Sequence, residues 1–254
     1  MNNSNNKIFS VLLVEDDAIN QIIFQEILKD YNLKIDVVCN GLEAITILEK
    51  NQYDIIFIDM YMPIMDGIEA TKQIRQKNIT IPIILLSASA DEINRDKLKS
   101  IGMNDYLFKP IDIDNLDKLL FIYLSNFNLN QKINRINNLY HDNLEIPDIS
   151  GIDTLVGLKH MNDDKRLYLK TLLEFSKNYD HDNIKTLGYQ DFARKIHTIK
   201  GLARSLGAYE ISEMAKEIES GVSEGRIEDF LIALRILLKE IRSVVKENNS
   251  DEIV

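Results

Sequence analysis

The sequence predicts two domains of different class, a doubly wound α/β domain with a five-stranded parallel sheet and then an all-α helical bundle. Three observations predict this division. Five short apolar runs alternate with amphipathic stretches, the segment 126–150 is rich in Asn, and no strand pattern follows Gly151. Apolar runs that alternate with helical segments indicate parallel strands that are buried on both faces.

In the first half, strands are predicted where Ile, Val and Phe concentrate, and a helix with one apolar face follows each of them. The predicted strands are Ile8–Val14, Ile35–Val38, Ile55–Ile58, Ile81–Leu86 and Tyr106–Phe108. The predicted helices are Ile19–Lys29, Gly41–Lys50, Gly67–Gln76, Glu92–Ser100 and one that follows from Asp112. Such a sheet places its functional site in the crevice beyond the carboxyl ends of the strands.

The second half carries only helical patterns. The predicted helices are Leu167–Lys177, Asp191–Leu206, Glu210–Glu219 and Ile227–Glu247, which short polar loops connect into a bundle. The Asn-rich segment before them is interpreted as a linker. Within it, Ile133, Ile136 and Tyr140 keep a helical spacing, so part of the linker is a candidate helix.

Composition excludes several classes of function. The net charge of -10 argues against a nucleic-acid partner, because phosphate backbones bind basic surfaces. No apolar run reaches the roughly 18 residues of a membrane-spanning helix, and the polar first residues do not resemble a signal peptide. A cytoplasmic protein is therefore expected. The single Cys39 excludes an internal disulfide and is expected to be a core thiol.

Charged and hydroxyl groups follow the apolar strands of the first half. Glu15 and Asp16 follow the first strand, Asp59 the third, Ser87 the fourth and Lys109 the fifth. These groups converge at one edge of a parallel sheet, where clustered carboxylates repel one another unless a cation is present. Oxygen ligands of this kind suit Mg²⁺. With a lysine and a hydroxyl nearby, the set can hold a phosphoryl group.

Each group also has a simpler interpretation. Asp16 or Asp17 could cap the next helix, Asp66-Gly67 could be a turn and helix start, and Ser87 could be a cap. The convergence of these groups at one edge of the sheet favours a chemical function over these separate structural roles. A carboxylate such as Asp59 at the end of an apolar strand is costly to bury without compensation, so stability does not explain it.

These motifs resemble the signatures of two-component receiver domains. The run Asp59-Met60-Tyr61-Met62-Pro63-Ile64-Met65-Asp66-Gly67 is similar to the phosphoacceptor loop of that family. The acidic run Val14–Asp17 and the pairs Ser87-Ala88 and Lys109-Pro110 stand at the strand ends where the family has its other signatures. The resemblance covers about residues 7–126.

The receiver resemblance implies a flavodoxin-like fold and a metal-assisted phosphoacceptor. Asp59 would be phosphorylated. Asp16, Asp59 and the backbone carbonyl of Tyr61 would bind Mg²⁺ directly, and Glu15 would act through a water molecule.

The same resemblance implies how the site would respond to phosphate. Lys109 would contact the phosphoryl oxygens, Ser87 would be the switch hydroxyl, and Tyr106 would be the aromatic residue that moves with it. The Lys109-Pro110 peptide bond would be cis.

The second half carries its own candidate, a histidine at mid-helix. Lys200, Gly201 and Arg204 follow His197 at spacings that place all four residues on one helix face. Gly inside a helix costs roughly 1 kcal/mol relative to Ala, so Gly201 indicates that another surface approaches closely. Neighbouring basic groups favour a neutral, nucleophilic imidazole and can then pair with phosphate. A solvated basic face is the simpler alternative.

The segment His197-Thr198-Ile199-Lys200-Gly201 with Leu206-Gly207-Ala208 resembles the histidine phosphotransfer (HPt) domain, as do Gly151-Ile152-Asp153 and the pair Ala215 and Glu219. The resemblance covers about residues 150–247. It implies a four-helix bundle in which His197 is exposed and phosphorylated and Lys200 hydrogen-bonds the phosphoryl group. A role for Arg204 extends this pattern.

The predicted domains are a receiver at 7–126, a linker at 127–149 and an HPt domain at 150–247, an order similar to the end of hybrid sensor kinases. The expected function is a phosphorelay intermediate between a sensor histidine kinase and a downstream response regulator, with no ATP-dependent kinase domain of its own. Two alternatives stay open: a phosphorylation-controlled interaction or inhibitory protein acting on a sensor kinase, and a phosphate sink. A homodimer through the last receiver helices also stays open, since no residue decides it.

Overall fold

The computed structural model of the chain describes residues 7–88, 94–124, 144–179, 184–221 and 224–249. The chain folds into two compact units, Met1–Asn134 and Arg135–Val254. The first contains the predicted α/β half, and the second contains the predicted helical half.

The first unit is built on a five-stranded parallel sheet with the strand order β2-β1-β3-β4-β5. Its elements are β1 Ser10–Val14, α1 Ala18–Leu28, a 3₁₀ turn Lys29–Tyr31, β2 Lys34–Val38, α2 Gly41–Leu48, β3 Ile55–Asp59, α3 Gly67–Gln76, β4 Ile83–Ser87, α4 Arg95–Ile101, β5 Asp105–Phe108 and α5 Ile113–Tyr123. This topology confirms the predicted doubly wound class.

Burial and capping explain where these elements begin and end. Every residue of β3 and β4 is buried, as expected for central strands covered by helices on both faces. Five helices start at a side chain that accepts a hydrogen bond from a first-turn backbone N–H: Asp17, Asn40, Asp66, Asn94 and Asp112. A cap of this kind contributes roughly 1 kcal/mol. The caps fix the loops that surround the carboxyl edge of the sheet.

The register of the sheet brings the strand ends together. Val14 pairs with Val38, Asp59 with Leu86, and Ser87 with Phe108. Because all pairs are parallel, the residues that follow β1, β3, β4 and β5 lie at the same edge.

Some predicted boundaries differ from the structure. The fourth strand begins at Ile83 rather than Ile81, because Pro82 has no backbone N–H to donate within the sheet. The helix predicted from Glu92 is described from Arg95, and residues 89–93 lie outside the described part. The prediction of a core thiol is wrong. Cys39 lies directly after the edge strand β2 and is exposed.

The second unit is all-helical in its described residues, which confirms the predicted bundle. Its helices are α6 Thr154–Lys159, α7 Lys165–Asn178, α8 Tyr189–Leu206, α9 Tyr209–Glu219 and α10 Glu224–Asn249. The buried residues Leu172, Phe175, Leu202, Phe230 and Leu234 come from α7, α8 and α10. Gly207 ends α8 in the left-handed conformation with φ 86°, which glycine adopts without strain.

Most of the predicted linker, including its candidate helix, lies outside the described residues. The end of the predicted linker is packed. Leu144 and Ile149 are buried, and the Leu144 carbonyl accepts a hydrogen bond of 2.8 Å from Lys165 Nζ. No helix in the described ranges has the length and apolar character needed to cross a membrane.

Candidate functional site

Three carboxylates meet at the carboxyl edge of the sheet. Glu15 and Asp16 directly follow β1, and Asp59 is the last residue of β3. One oxygen from each lies within 4.8 Å of the others. Glu15 and Asp59 are buried, and Asp16 is partly buried. The convergence expected from strand ends therefore exists in the structure.

Lys109 supplies a positive charge to this cluster. Its Nζ donates to Glu15 Oε2 at 2.6 Å and to Asp59 Oδ2 at 3.1 Å. Burial lowers the pKa of Lys109, but the neighbouring Asp59 and Glu15 carboxylates outweigh it and raise that pKa above its ordinary value. Lys109 is therefore a fixed ammonium. The peptide bond between Lys109 and Pro110 is cis, as expected.

One lysine does not balance three carboxylates. Burial, reinforced by the charge of Asp59, raises the pKa of Glu15 to about 8 and that of Asp16 to about 6. In addition, Asp16 Oδ1 is buried and has no hydrogen-bond partner among the residues that the structure describes. A buried carboxylate oxygen without a partner is costly. These observations fit a divalent cation, and the all-oxygen donor set suits Mg²⁺.

Asp59 is oriented by its own loop. Its Oδ1 accepts a hydrogen bond of 2.7 Å from Met60 N, which leaves Oδ2 facing Lys109. Tyr61 lies two residues after Asp59 and is exposed. Its backbone carbonyl as a metal ligand stays a prediction.

The β3–α3 loop packs closely against its surroundings at two glycines. A Cβ on Gly67 would lie 2.1 Å from the Asp59 carbonyl oxygen, and one on Gly41 would lie 2.6 Å from Ala70 Cβ. Neither position has room for a side chain. Gly67 N also donates to Met60 O at 3.0 Å. Asp66 caps α3, because its side chain accepts a hydrogen bond from Glu69 N, which agrees with its simpler interpretation as a helix start.

Ser87 and Tyr106 lie on neighbouring strands. Ser87 is buried at the end of β4, and its carbonyl accepts from Lys109 N at 2.7 Å. The Tyr106 hydroxyl accepts a hydrogen bond of 2.9 Å from Arg95 Nη2, and the Arg95 guanidinium lies 5.1 Å from the centre of the Tyr106 ring. Ser87 thus reaches the same edge as Asp59. The switch roles of both residues stay predictions.

The second candidate centre lies on α8. His197 Nδ1 lies 2.8 Å from Glu219 Oε1, and Lys200 Nζ donates to Glu219 Oε2 at 2.6 Å. Burial raises the pKa of Glu219, but the hydrogen bonds from His197 and Lys200 outweigh it and lower the pKa below its usual value. One carboxylate therefore holds both residues of the predicted motif.

The histidine is more covered than the resemblance implies. The side chain of His197 is 11% exposed and that of Lys200 is 7% exposed. Helix α9 packs against α8 and brings Glu219 over both side chains. Ser212 of α9 donates to the Lys200 carbonyl at 3.0 Å, so a second surface does approach next to the buried Gly201. Arg204 is exposed.

Sequence reasoning missed the role of Glu219. The residue entered only as part of the family resemblance, with no partner assigned. Ser212, Ala215 and Glu219 share one face of α9, and the first two are buried. A carboxylate continuing that inward face was the available signal.

Two family models match the chain. The model described as response regulator receiver domain matches residues 11–121, and the model described as Hpt domain matches residues 180–244. The two-component response regulator 24 of Arabidopsis thaliana is 38% identical over 112 residues, which cover 44% of this chain and 81% of that protein. The chain belongs to the two-component receiver family. A second part of the chain matches the Hpt domain as well.

Two further matches are a much longer protein and a single domain. The hybrid signal transduction histidine kinase B of Dictyostelium discoideum is 41% identical over 118 residues, which are 41% of this chain and 6% of that kinase. The chain therefore spans a small part of this relative. The magnesium-bound receiver domain of the Pseudomonas aeruginosa sensor histidine kinase PA1611 is 34% identical, and the match covers 46% of this chain and 98% of that domain with a TM-score of 0.43.

Proposed function

We propose that this receiver–Hpt protein is a phosphorelay intermediate that carries phosphoryl groups on Asp59 and on His197. The observation that carries the proposal is that one chain holds both chemical halves. A buried carboxylate lies 3.1 Å from the ammonium of Lys109, and a partly exposed imidazole lies 2.8 Å from a carboxylate. Its partners would be a sensor histidine kinase, a downstream response regulator, or both.

The receiver half supplies the acceptor and the electrostatics. A carboxylate oxygen of Asp59 attacks the phosphorus of a phosphohistidine in line, forming an O–P bond as the N–P bond breaks. Lys109, already held by Asp59 and Glu15, is in place to neutralise charge on the phosphoryl oxygens. Mg²⁺, held by Glu15, Asp16, Asp59 and the Tyr61 carbonyl, would supply further positive charge beside these oxygens.

The Hpt half supplies the leaving group or nucleophile. Glu219 contacts Nδ1 of His197, so we assign the phosphoryl group to Nε2. When the N–P bond breaks, its electron pair stays on Nε2 while the proton stays on Nδ1 beside Glu219. The leaving group is then a neutral imidazole, and charge is conserved because the carboxylate of Asp59 becomes a negatively charged acyl phosphate. Lys200 is held by Glu219 next to the same ring, where it can reach the phosphoryl oxygens.

Acid and base lability test this function on the purified full chain. Aspartyl phosphate is lost in base and phosphohistidine is lost in acid. After incubation with phosphoramidate and Mg²⁺, Asp59→Asn should lose the base-labile label and His197→Gln the acid-labile label. Two variants serve as matched controls. Asp66→Asn changes an exposed helix cap, and His160→Gln replaces a histidine whose ring contacts the Ser205 carbonyl. Base-labile label that persists on Asp59→Asn would remove that site from the proposal.

Onward transfer separates this function from the two alternatives. A charged carrier should pass label to a response regulator through His197, so His197→Gln should end that transfer. A sink would release inorganic phosphate instead, and an interaction protein would hold the label on Asp59. We also propose the cytoplasm as its compartment, because an exposed and unbridged Cys39 suits a reducing environment.

A further inference from the structure

Asn20 lies in the first turn of α1, and its side chain contacts the acidic edge of the sheet. Its Nδ2 donates to Glu15 Oε1 at 3.1 Å. Asparagine is a weak helix former. Capping of α1 does not explain its presence, because Asp17 is the cap and accepts from the backbone N–H groups of Ile19 and Asn20. The contact with Glu15 is therefore the better explanation of this residue.

The side chain of Glu15 is held at both carboxylate oxygens. Oε2 accepts from Lys109 Nζ at 2.6 Å, and Oε1 accepts from Asn20 Nδ2 and, at 3.4 Å, from Asp17 N. Gln21 Nε2 also donates to the Glu15 backbone carbonyl at 2.6 Å. The first turn of α1 thus fixes both the backbone and the side chain of Glu15.

Asp16 is held differently. Its Oδ1 is buried and accepts no hydrogen bond within the described ranges, although it belongs to the same cluster as Glu15 and Asp59. A cation can therefore bind Asp16 without displacing a donor. To bind Glu15 Oε1 directly, the cation would have to displace the amide of Asn20.

The number of carboxylates that contact the cation directly affects which ion is preferred. Mg²⁺ is bound by about one or two carboxylates and keeps several of its waters in an octahedral shell. Ca²⁺ takes roughly six to eight oxygen ligands in a flexible geometry. A third carboxylate that is free to reach the cation therefore favours Ca²⁺.

We propose that Asn20 sets the ion selectivity of this site. By holding Glu15 Oε1 it keeps the third carboxylate from direct contact with the cation, which favours Mg²⁺ over Ca²⁺. The inference rests on the proposed function, because that function requires Mg²⁺ at these carboxylates. Asn20 acts through Glu15, so it is a positioning residue and not a catalytic one.

Replacing Asn20 by alanine removes the amide donor and leaves Lys109 on the other oxygen. Of the contacts to Glu15 Oε1, only the long one from Asp17 N remains. The carboxylate can then turn towards the cation. Loss of a group that holds a metal ligand changes metal affinity by about 10–100-fold. We expect the ratio of the Ca²⁺ to the Mg²⁺ association constant to rise about tenfold in Asn20→Ala.

Isothermal titration of the purified full chain with MgCl2 and with CaCl2 measures this ratio. Both titrations use one buffer at one pH and equal ionic strength, and neither needs a phosphodonor. Asn20→Gln keeps an amide donor and should return the ratio towards the parental value. Gln25→Ala is the matched control, because Gln25 lies further along α1 and is partly buried like Asn20. It should keep the parental ratio.

The ratio separates selectivity from a purely structural role. If Asn20→Ala weakens both ions equally, or lowers the ratio, the inference is wrong. An equal rise in Gln25→Ala would assign the effect to the helix as a whole, and Asn20→Gln that behaves as Asn20→Ala would remove the amide as its cause. Both results overturn the inference.

Failure of the inference is distinguishable from failure of the proposed function. A parent that binds Mg²⁺ and is labelled on Asp59, with a ratio that does not respond to Asn20→Ala, keeps the carrier function and loses only the role of Asn20. A parent that binds neither ion removes the cation from the proposed function, and the inference fails with it.

Discussion

Glu219 shows how a single carboxylate can organise a phosphoacceptor. Its two oxygens contact different partners, His197 Nδ1 at 2.8 Å and Lys200 Nζ at 2.6 Å. The first contact fixes the ring and selects its tautomer, since a carboxylate accepts from the N–H that faces it. The second keeps the lysine beside the ring. Both residues of the motif are thus positioned by a residue outside it.

We predict that Glu219→Gln slows phosphorylation of His197 and makes stability less dependent on pH. Hydrogen bonds to charged groups contribute roughly 1.5–3 kcal/mol when buried, and this partly exposed site should contribute about 1 kcal/mol. The pKa of Glu219 is lowered in the folded state by His197 and Lys200 after opposing burial. Its contribution is therefore complete above its unfolded pKa and is lost as pH falls through the folded value.

Urea unfolding between pH 3 and pH 7, together with phosphoramidate labelling, measures both effects. The parent should lose more stability than Glu219→Gln as the pH falls. Glu217→Gln is the control, because Glu217 lies on the same helix and is half exposed in a surface pair with Arg226. Equal pH profiles for the parent and Glu219→Gln would contradict the prediction.

At the scale of elements, the loop between β3 and α3 depends on a glycine without a side chain. A Cβ on Gly67 would meet the Asp59 carbonyl oxygen at 2.1 Å and Ile58 Cγ1 at 3.3 Å. Both atoms belong to the buried strand β3, so neither can move freely. The start of α3 and the position of Asp59 are therefore coupled.

We predict that Gly67→Ala destabilises the receiver unit by about 1–3 kcal/mol, the usual cost of forcing atoms into a packed site. It should also weaken labelling of Asp59, because the strand end must shift. Gly225→Ala on α10 is the matched control. Within the described part of the chain, a Cβ there meets no atom closer than 4 Å, so alanine should stabilise the helix by a few tenths to about 1 kcal/mol. Thermal unfolding measures both, and a Gly67→Ala protein as stable as the parent would refute the clash.

The elements that could be predicted from the sequence are those whose burial is complete. Ile55–Asp59 and Ile83–Ser87 are buried at every position, so their apolar runs have no competing interpretation. The helix Thr154–Lys159 was missed because it is shorter than two turns, and a periodic pattern needs more length than that.

In the candidate site, too, one part could be predicted from the sequence and another part could not. The carboxyl ends of the strands of a parallel sheet lie at one edge, so the order of the strands alone predicts that Asp59 meets Glu15, Asp16 and Lys109. The meeting of Glu219 with His197 depends on the relative rotation of α8 and α9. Side-chain packing between the two helices sets that rotation, and spacing within either helix does not contain it.

At the scale of the molecule, the buried carboxylate cluster belongs to the receiver unit. The receiver unit concentrates Glu15, Asp16 and Asp59 around one lysine, and burial together with Asp59 raises the pKa of Asp16 to about 6. When folding raises the pKa of a carboxyl group, the protein loses stability as the pH rises from the unfolded pKa of that group to its folded pKa. At neutral pH this unit therefore carries an unfavourable charge that a cation can relieve.

We predict that Mg²⁺ stabilises the receiver unit alone. At tenfold excess over its dissociation constant a ligand contributes about 1.4 kcal/mol, a shift on the order of 5 °C for a unit of this size. Calorimetry of the full chain should show one transition that rises with MgCl2 and one that does not. The Gly67→Ala variant assigns the receiver transition because it lowers that transition only. Asp16→Asn should raise it without Mg²⁺ and abolish the response, while NaCl at equal ionic strength should leave both transitions in place. A shift of both transitions, or a response that survives in Asp16→Asn, would mean that the cation acts elsewhere than on the carboxylates at the sheet edge.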